Sequence, residues 1–348
     1  MSAIRISGAV ATETTVTGTD LAKWPVARTK VRLPERKGGY GGSFECEGVP
    51  LRDVLSSAGI TKQVNDGFNR ELDLVILVTG KNGNRALFSY GEIFLGSRSD
   101  RFLLSRGFRF LYPHKHAPIA SATWDVEALM TASPDPAVRA KEAGCLSCHA
   151  GEKPPALFFP KGICLVAPDD AWPGRFVEEV SAVQVLQMPA SLIQEVATQP
   201  KDVMWLEEPV LIGLDGKKTP VTPAVLAGLE RKISPDCSYG LGKGFHGIHA
   251  REGVAVGGLL QKVFGKLDPS GFVVLATSPD RYRSVFSGYE VLRQPDSMSL
   301  MLIDQDDGAP LKPGNGKYKI WSAGDFYIDR SLRSVAEIRL IAPEPGRP

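Results

Sequence analysis

Polar and apolar positions alternate in short blocks along this chain and never settle into one long period. Residues 72–79 (LDLVILVT) and 271–277 (GFVVLAT) are short apolar runs rich in β-formers, and they predict buried strands. Residues 175–186 and 330–341 alternate apolar and polar side chains, the period of a strand with one wet face. Residues 49–58 (VPLRDVLSSA) place apolar side chains at helical spacing, and Gly59 ends the run. Between residues 187 and 208, Pro189 and Pro200 bracket an expected short helix. Strands mixed with short helices predict an α+β, β-rich fold.

These blocks recur. At a shift of 205, Val16, Thr17, Leu21 and Ala22 fall on Val221, Thr222, Leu226 and Ala227, and residues 47–55 fall on 252–260. At a shift of 198, Leu77, Thr79, Arg85, Phe88, Ser89 and Glu92 fall on Leu275, Thr277, Arg283, Phe286, Ser287 and Glu290. A shift of 192 puts residues 117–119 on 309–311, and a shift of 155 puts Asp170, Arg175, Val180 and Val183 on Asp325, Arg330, Val335 and Ile338. The last step is an insertion of 37 residues between Ile119 and Gly162. The expected organisation is therefore a domain at 1–186 carrying an insertion at 120–161, a linker at 187–208, and a second domain at 209–348. Additions to a packed scaffold are where function usually sits.

Composition agrees with this picture. A length of 348 residues leaves room for two full cores, and 43% hydrophobic with 23% charged residues is globular composition. The 36 glycines and 26 prolines point to many turns. A net charge of +2 argues against nucleic acid as a main partner. No window of eighteen apolar residues exists, so no membrane-spanning helix is expected.

The insertion carries the chemistry. Cys145-Leu146-Ser147-Cys148-His149 is a C-x-x-C-H string, the attachment pattern of a c-type haem. Two thiols on one turn form thioethers to the two vinyl groups of one porphyrin, and the adjoining imidazole becomes the proximal iron ligand. A redox C-x-x-C is an alternative, as is a zinc knuckle completed by His114 and His116. Asp135 and Pro136 open an expected helix that stops at Gly144, just before the thiols, and Gly144 and Gly151 leave backbone room beside a flat macrocycle. Tyr112, Trp124 and Trp172 are expected to pack on the porphyrin. For the distal ligand, His116 comes first, because the second copy has Gly308 there. His114 and Met130 follow, and His246 or His249 would come from the second copy. Covalent haem attachment takes place outside the cytoplasm. MSAIRISGAV has no basic stretch leading into an apolar one, so a removed leader is expected. Cys46, Cys164 and Cys237 remain: either two pair and one is left over, or all three are buried free thiols.

Each copy resembles the molybdopterin-binding domain of the sulfite oxidase family. The family's Gly-Val-Pro-Leu-x-x-Leu-Leu-x-x-Ala-Gly stretch is matched by residues 48–59, its Ser-x-x-Glu-like segment by Phe88–Glu92, and its closing turn, Arg and alternating strand by Ala167–Val185. The resemblance spans 4–119 with 162–186, and again 209–341. It implies two tandem sulfite-oxidase-like units, the first bearing the haem segment. Family members hold molybdenum through a cysteine about seventeen residues before the Gly-Val pair. In the second copy the resemblance offers Cys237 for that role, while Arg32 stands at the equivalent position in the first; the family's cluster of basic and His residues that grips the pterin phosphate is not matched, His246 and His249, with Lys243 near them, being its candidates.

The sequence therefore predicts an extracytoplasmic monohaem c-type cytochrome that passes electrons between redox partner proteins. It reads as an electron carrier more than as a complete molybdenum enzyme. Two alternatives stand beside this reading. One is a molybdopterin-dependent oxidoreductase that acts on a small anion and feeds its own haem. The other is a binder or sensor stabilised by haem or zinc.

Overall fold

The computed structural model describes residues 3–34, 40–62, 67–110, 160–167, 175–189, 191–192, 204–294 and 299–343. The first half of the chain forms β1 (Ala3–Gly8), β2 (Thr14–Thr17), α1 (Gly18–Leu21), β3 (Ala27–Pro34), β4 (Tyr40–Pro50) and α2 (Leu51–Ala58). It continues with β5 (Leu74–Gly80), β6 (Arg85–Ser89), α3 (Tyr90–Phe94), β7 (Leu103–Phe110), β8 (Cys164–Val166) and β9 (Val180–Gln187). The second half repeats the succession with β10 (Val210–Ile212), β11 (Lys218–Pro220), α4 (Pro223–Leu226), β12 (Arg231–Gly240), β13 (Gly244–Ala255) and α5 (Val256–Phe264). Then come β14 (Val273–Thr277), β15 (Arg283–Ser287), α6 (Gly288–Leu292), β16 (Leu300–Asp306), β17 (Ala309–Pro310), β18 (Lys319–Ser322) and β19 (Glu337–Ile341). The architecture is β-rich.

Sheet order repeats as well. The order β2-β1-β9-β5-β6 returns as β11-β10-β19-β14-β15, and β3-β4-β7-β8 is matched by β12-β13-β16 with β18 on β16. The agreement reaches single residues. Pairing of β4 with β7 slips between Glu47 and Gly48, and pairing of β13 with β16 slips between Glu252 and Gly253. Those glycines are required by close backbone approach: a Cβ would lie 2.5 Å from the Leu104 carbonyl oxygen at Gly48 and 2.1 Å from that of Leu302 at Gly253.

Contacts divide the chain into two compact units. One comprises Met1–Ile60, Leu77–Ala86 and Asp100–Gln184; the other comprises Thr61–Ile76, Leu87–Ser99 and Val185–Pro348. A core cluster of the first gathers Val31, Phe44, Cys46, Leu103, Phe108, Cys164 and Val166. The larger cluster of the second includes Leu211, Leu259, Phe272, Val274, Phe286 and Ile338. The helix predicted over 49–58 runs from Leu51 to Ala58, buries Leu51, Val54, Leu55 and Ala58, and ends on Gly59 at φ +69°.

The two alternating segments begin as strands later than the periodicity predicts. β9 starts at Val180 and β19 at Glu337. The cause is a left-handed residue in each, Glu179 and Ser334, both at φ +48°, which breaks the extended run. Cys46 and Cys164 are buried free thiols, and burial pushes both pKa values well up. Cys237 is also free but exposed, so the three thiols are not all buried. The expected insertion helix and most of the 187–208 segment lie outside the described residues. Among the described residues, no helix is long and apolar enough to cross a membrane.

Candidate functional site

Cys145, Cys148, His149, His114, His116 and Met130 all lie outside the described residues. The structure does show where the chain leaves for this segment and where it returns. β7 leads out, and β8 pairs back on it, Leu103 with Val166, Leu104 with Leu165 and Ser105 with Cys164. In the second half, β16 and β18 pair in the corresponding register, Met301 with Trp321, Leu302 with Ile320 and Ile303 with Lys319, and residues 307–318 suffice to join them. The C-x-x-C-H string thus falls, in sequence, in a connection between two strands that pair alike in both halves. Its donor set, two closely spaced thiols and an adjoining imidazole, is chemically complete for one covalent haem with its proximal ligand.

The second unit contains a cavity of about 470 Å³. The turn between β12 and β13 contributes Lys243, β13 contributes His246 and β18 contributes Lys319; Arg70, Tyr282 and Arg333 complete the basic and phenolic lining, with Asp280 and Asp329 as its acids. Gly240 makes room for the imidazole: a Cβ there would lie 2.9 Å from His246 Nε2. Arg70 Nη1 donates to Asp329 Oδ1 at 3.0 Å and to the Tyr282 hydroxyl oxygen at 3.3 Å. The Tyr282 hydroxyl in turn donates to the Asp329 backbone carbonyl, and burial pushes its pKa up to about 12. The Lys319 ammonium lies 5.0 Å from the Trp321 ring centre. Burial, reinforced by Arg251, brings its pKa down to about 8. Four Lys and Arg side chains in the lining face two carboxylates, Asp280 and Asp329, and Arg70 alone of the four forms an ion pair among the described residues, so the cavity carries excess positive charge suited to a small anion.

Lys243 and His246, both singled out in the sequence, therefore share one cavity. His249 does not line it; its Nδ1 faces Asp306 and Asp307 instead. Cys237 does not line it either. It lies opposite Ile248 on the hairpin face that also exposes Ile233 and Tyr239, whereas Ser238 and Gly240 alternate onto the buried face, and Gly240 borders the cavity. These positions do not fit a molybdenum held on Cys237 with its pterin in this cavity, and no chemistry is derived through that group. Sequence reasoning missed Arg70, Tyr282, Lys319 and Arg333. The twin comparison held a signal for two of them: at the 155 shift, Lys319 replaces Cys164 and Arg333 replaces Glu178.

A buried polar network also lies within the second unit. Ser89 caps α3 and donates to Glu290 at 2.6 Å; its repeat equivalent Ser287 caps α6 and donates to Glu92 at 3.0 Å. Arg330 joins it, with Glu290 at 2.7 Å, the Ser89 hydroxyl at 2.8 Å, and Asp325. Every group here is satisfied by a neighbour, which makes the network a structural one.

No protein-family model matches the chain, and no curated protein matches it. Solved structures that match include the sulfane dehydrogenase SoxCD from Paracoccus pantotrophus, with a TM-score of 0.31 and 12% identity over 96% of this chain and 77% of that one. A likeness that slight does not speak for fold or activity.

Proposed function

We propose that this chain is an extracytoplasmic monohaem c-type cytochrome, an electron carrier built on two tandem sulfite-oxidase-like units. One observation carries the reading: a C-x-x-C-H motif in a connection that the second half replaces with residues 307–318. Cys145 and Cys148 would hold the porphyrin and His149 the iron, with His116, His114 or Met130 as distal ligand. The cofactor supplies one-electron chemistry; the polypeptide anchors it and presents it to redox partner proteins. The repeated order of strands and the matches around Gly48 and Gly253 support the scaffold assignment.

The test is an absorption spectrum of chain matured in a host competent for c-type haem. We expect a sharp reduced α band that persists after acid-acetone extraction, and its loss in a Cys145→Ala/Cys148→Ala double variant. A colourless product, or one with zinc on those thiols, overturns the assignment. The positive cavity favours a second reading in which the second half binds a small anion. If elemental analysis found about one molybdenum per chain, lost in Cys237→Ala, the enzyme reading would displace the carrier.

A further inference from the structure

Outside the cavity, the second unit gathers His249, Asp306 and Asp307 so that one donor atom from each lies within 4.8 Å of the others. His249 Nδ1 is 3.2 Å from Asp306 Oδ1 and 3.0 Å from Asp307 Oδ2. Bonds of about 2.0–2.1 Å in a tetrahedral zinc site place neighbouring donors about 3.3 Å apart, which matches these spacings.

Each donor is held from behind. Asp306 Oδ2 accepts a hydrogen bond from Arg251, and its Oδ1, though buried, accepts none among the described residues. Asp307 Oδ1 accepts the Ala250 backbone N–H at 2.7 Å, leaving Oδ2 toward the ring. His249 Nε2 lies 3.3 Å from the His246 carbonyl oxygen. The ring fits because residue 247 is glycine, at φ +124°, where a Cβ would meet Nε2 at 2.7 Å. Carboxylates anchored through one oxygen, and a histidine whose second nitrogen faces a carbonyl, are the outer contacts that metal ligands require. A neutral imidazole has one N–H and one lone pair. In either tautomer a lone pair here faces oxygen, and one cation between Nδ1 and the carboxylates, a proton or a metal, resolves the conflict.

The first half shows that the scaffold does not need this cluster. At the equivalent positions it has Phe44 for His249 and Phe108 for Asp306, two fully buried rings packed edge-on at 6.1 Å. Pairing is unchanged: Cys46 faces Phe108 where Arg251 faces Asp306. One copy has two phenyl rings at the first two positions and Arg109, paired with Glu45, at the third; the other has three metal-binding side chains. We propose that His249, Asp306 and Asp307 form a zinc(II) site with water in the remaining position. One nitrogen and two carboxylate oxygens favour zinc over calcium or magnesium, which take all-oxygen shells. Zinc replaces whatever proton bridges Nδ1 and Asp307 and ties β13 to the turn after β16.

The experiment uses the full chain as matured, stripped of loose metal with a chelator and then titrated with cobalt(II). We expect one cobalt bound with nitrogen and oxygen ligation and without a thiolate-to-cobalt charge-transfer band, and its one-for-one displacement by zinc. His249→Gln and Asp307→Asn should each weaken uptake by at least about 10–100-fold, the cost of losing even an outer contact of a metal ligand. Uptake showing only the thiolate band, no uptake, or uptake unchanged in both variants overturns the proposal. If a variant fails to fold, the ligation signature of the unmodified chain decides. A colourless chain that still takes up cobalt without a thiolate band would retain this site and lose the haem reading, so the two fail separately.

Discussion

At the scale of single residues, Lys319 is the clearest case of a side chain placed against its own solvation. Its amine lies in a largely buried position, and its pKa falls from an ordinary 10.5 to about 8. Between those values the unfolded chain binds more protons than the folded one, so stability rises with pH across the window. Below about pH 8 the fold carries the full cost of an ammonium in a poorly hydrated place. Lys319→Met should therefore raise the melting temperature at neutral pH, by about 2–4 °C for each kcal/mol recovered. The gain should shrink toward zero as the pH approaches the ordinary lysine value. Thermal unfolding followed by circular dichroism at several pH values would check this, and a pH-independent gain would assign the effect to packing. Periodicity cannot reveal such a residue, since Lys319 occupies one position of a short strand; only its contrast with Cys164 in the twin marks it.

At the scale of elements, the Gly-Val stretch that carried the family resemblance has a local physical cause. Gly253 lies at the slip in the pairing of β13 with β16, with Leu302 backbone where its side chain would be. Gly253→Ala should destabilise by about 1–3 kcal/mol, since backbone on both strands must move. Gly242→Ala, which meets open space, should stay within about 0.5 kcal/mol of the parent. Urea unfolding of the two variants measures the difference, and equal midpoints would remove the close-approach argument. The helix after Gly48-Val49 and the central strands were legible because their apolar spacing is local. The late starts of β9 and β19 were not, because a left-handed Glu179 or Ser334 leaves no mark in an apolar–polar pattern. The cavity was half legible: Lys243 and His246 are near neighbours in sequence, but Arg70 reaches it from far along the chain.

At the scale of the whole molecule, the repeat shows which parts of the chain the fold needs. Residues 307–318 carry the chain from β16 to β18, while the first half spends residues 111–163 between β7 and β8 and pairs them in the same register. If the haem segment is an addition to a complete scaffold, putting the 307–318 sequence in place of 111–163 should leave the strands paired. Closing a loop roughly fourfold shorter favours the folded state by about 1 kcal/mol. The spliced chain should keep its far-ultraviolet circular dichroism and cooperative unfolding and, on the proposed function, lose all covalent haem. Cobalt binding at His249, Asp306 and Asp307 should persist, because those residues belong to the second unit. A spliced chain that fails to fold would mean that the segment with Cys145, Cys148 and His149 is part of the architecture, and the first half would no longer count as a finished copy carrying a graft.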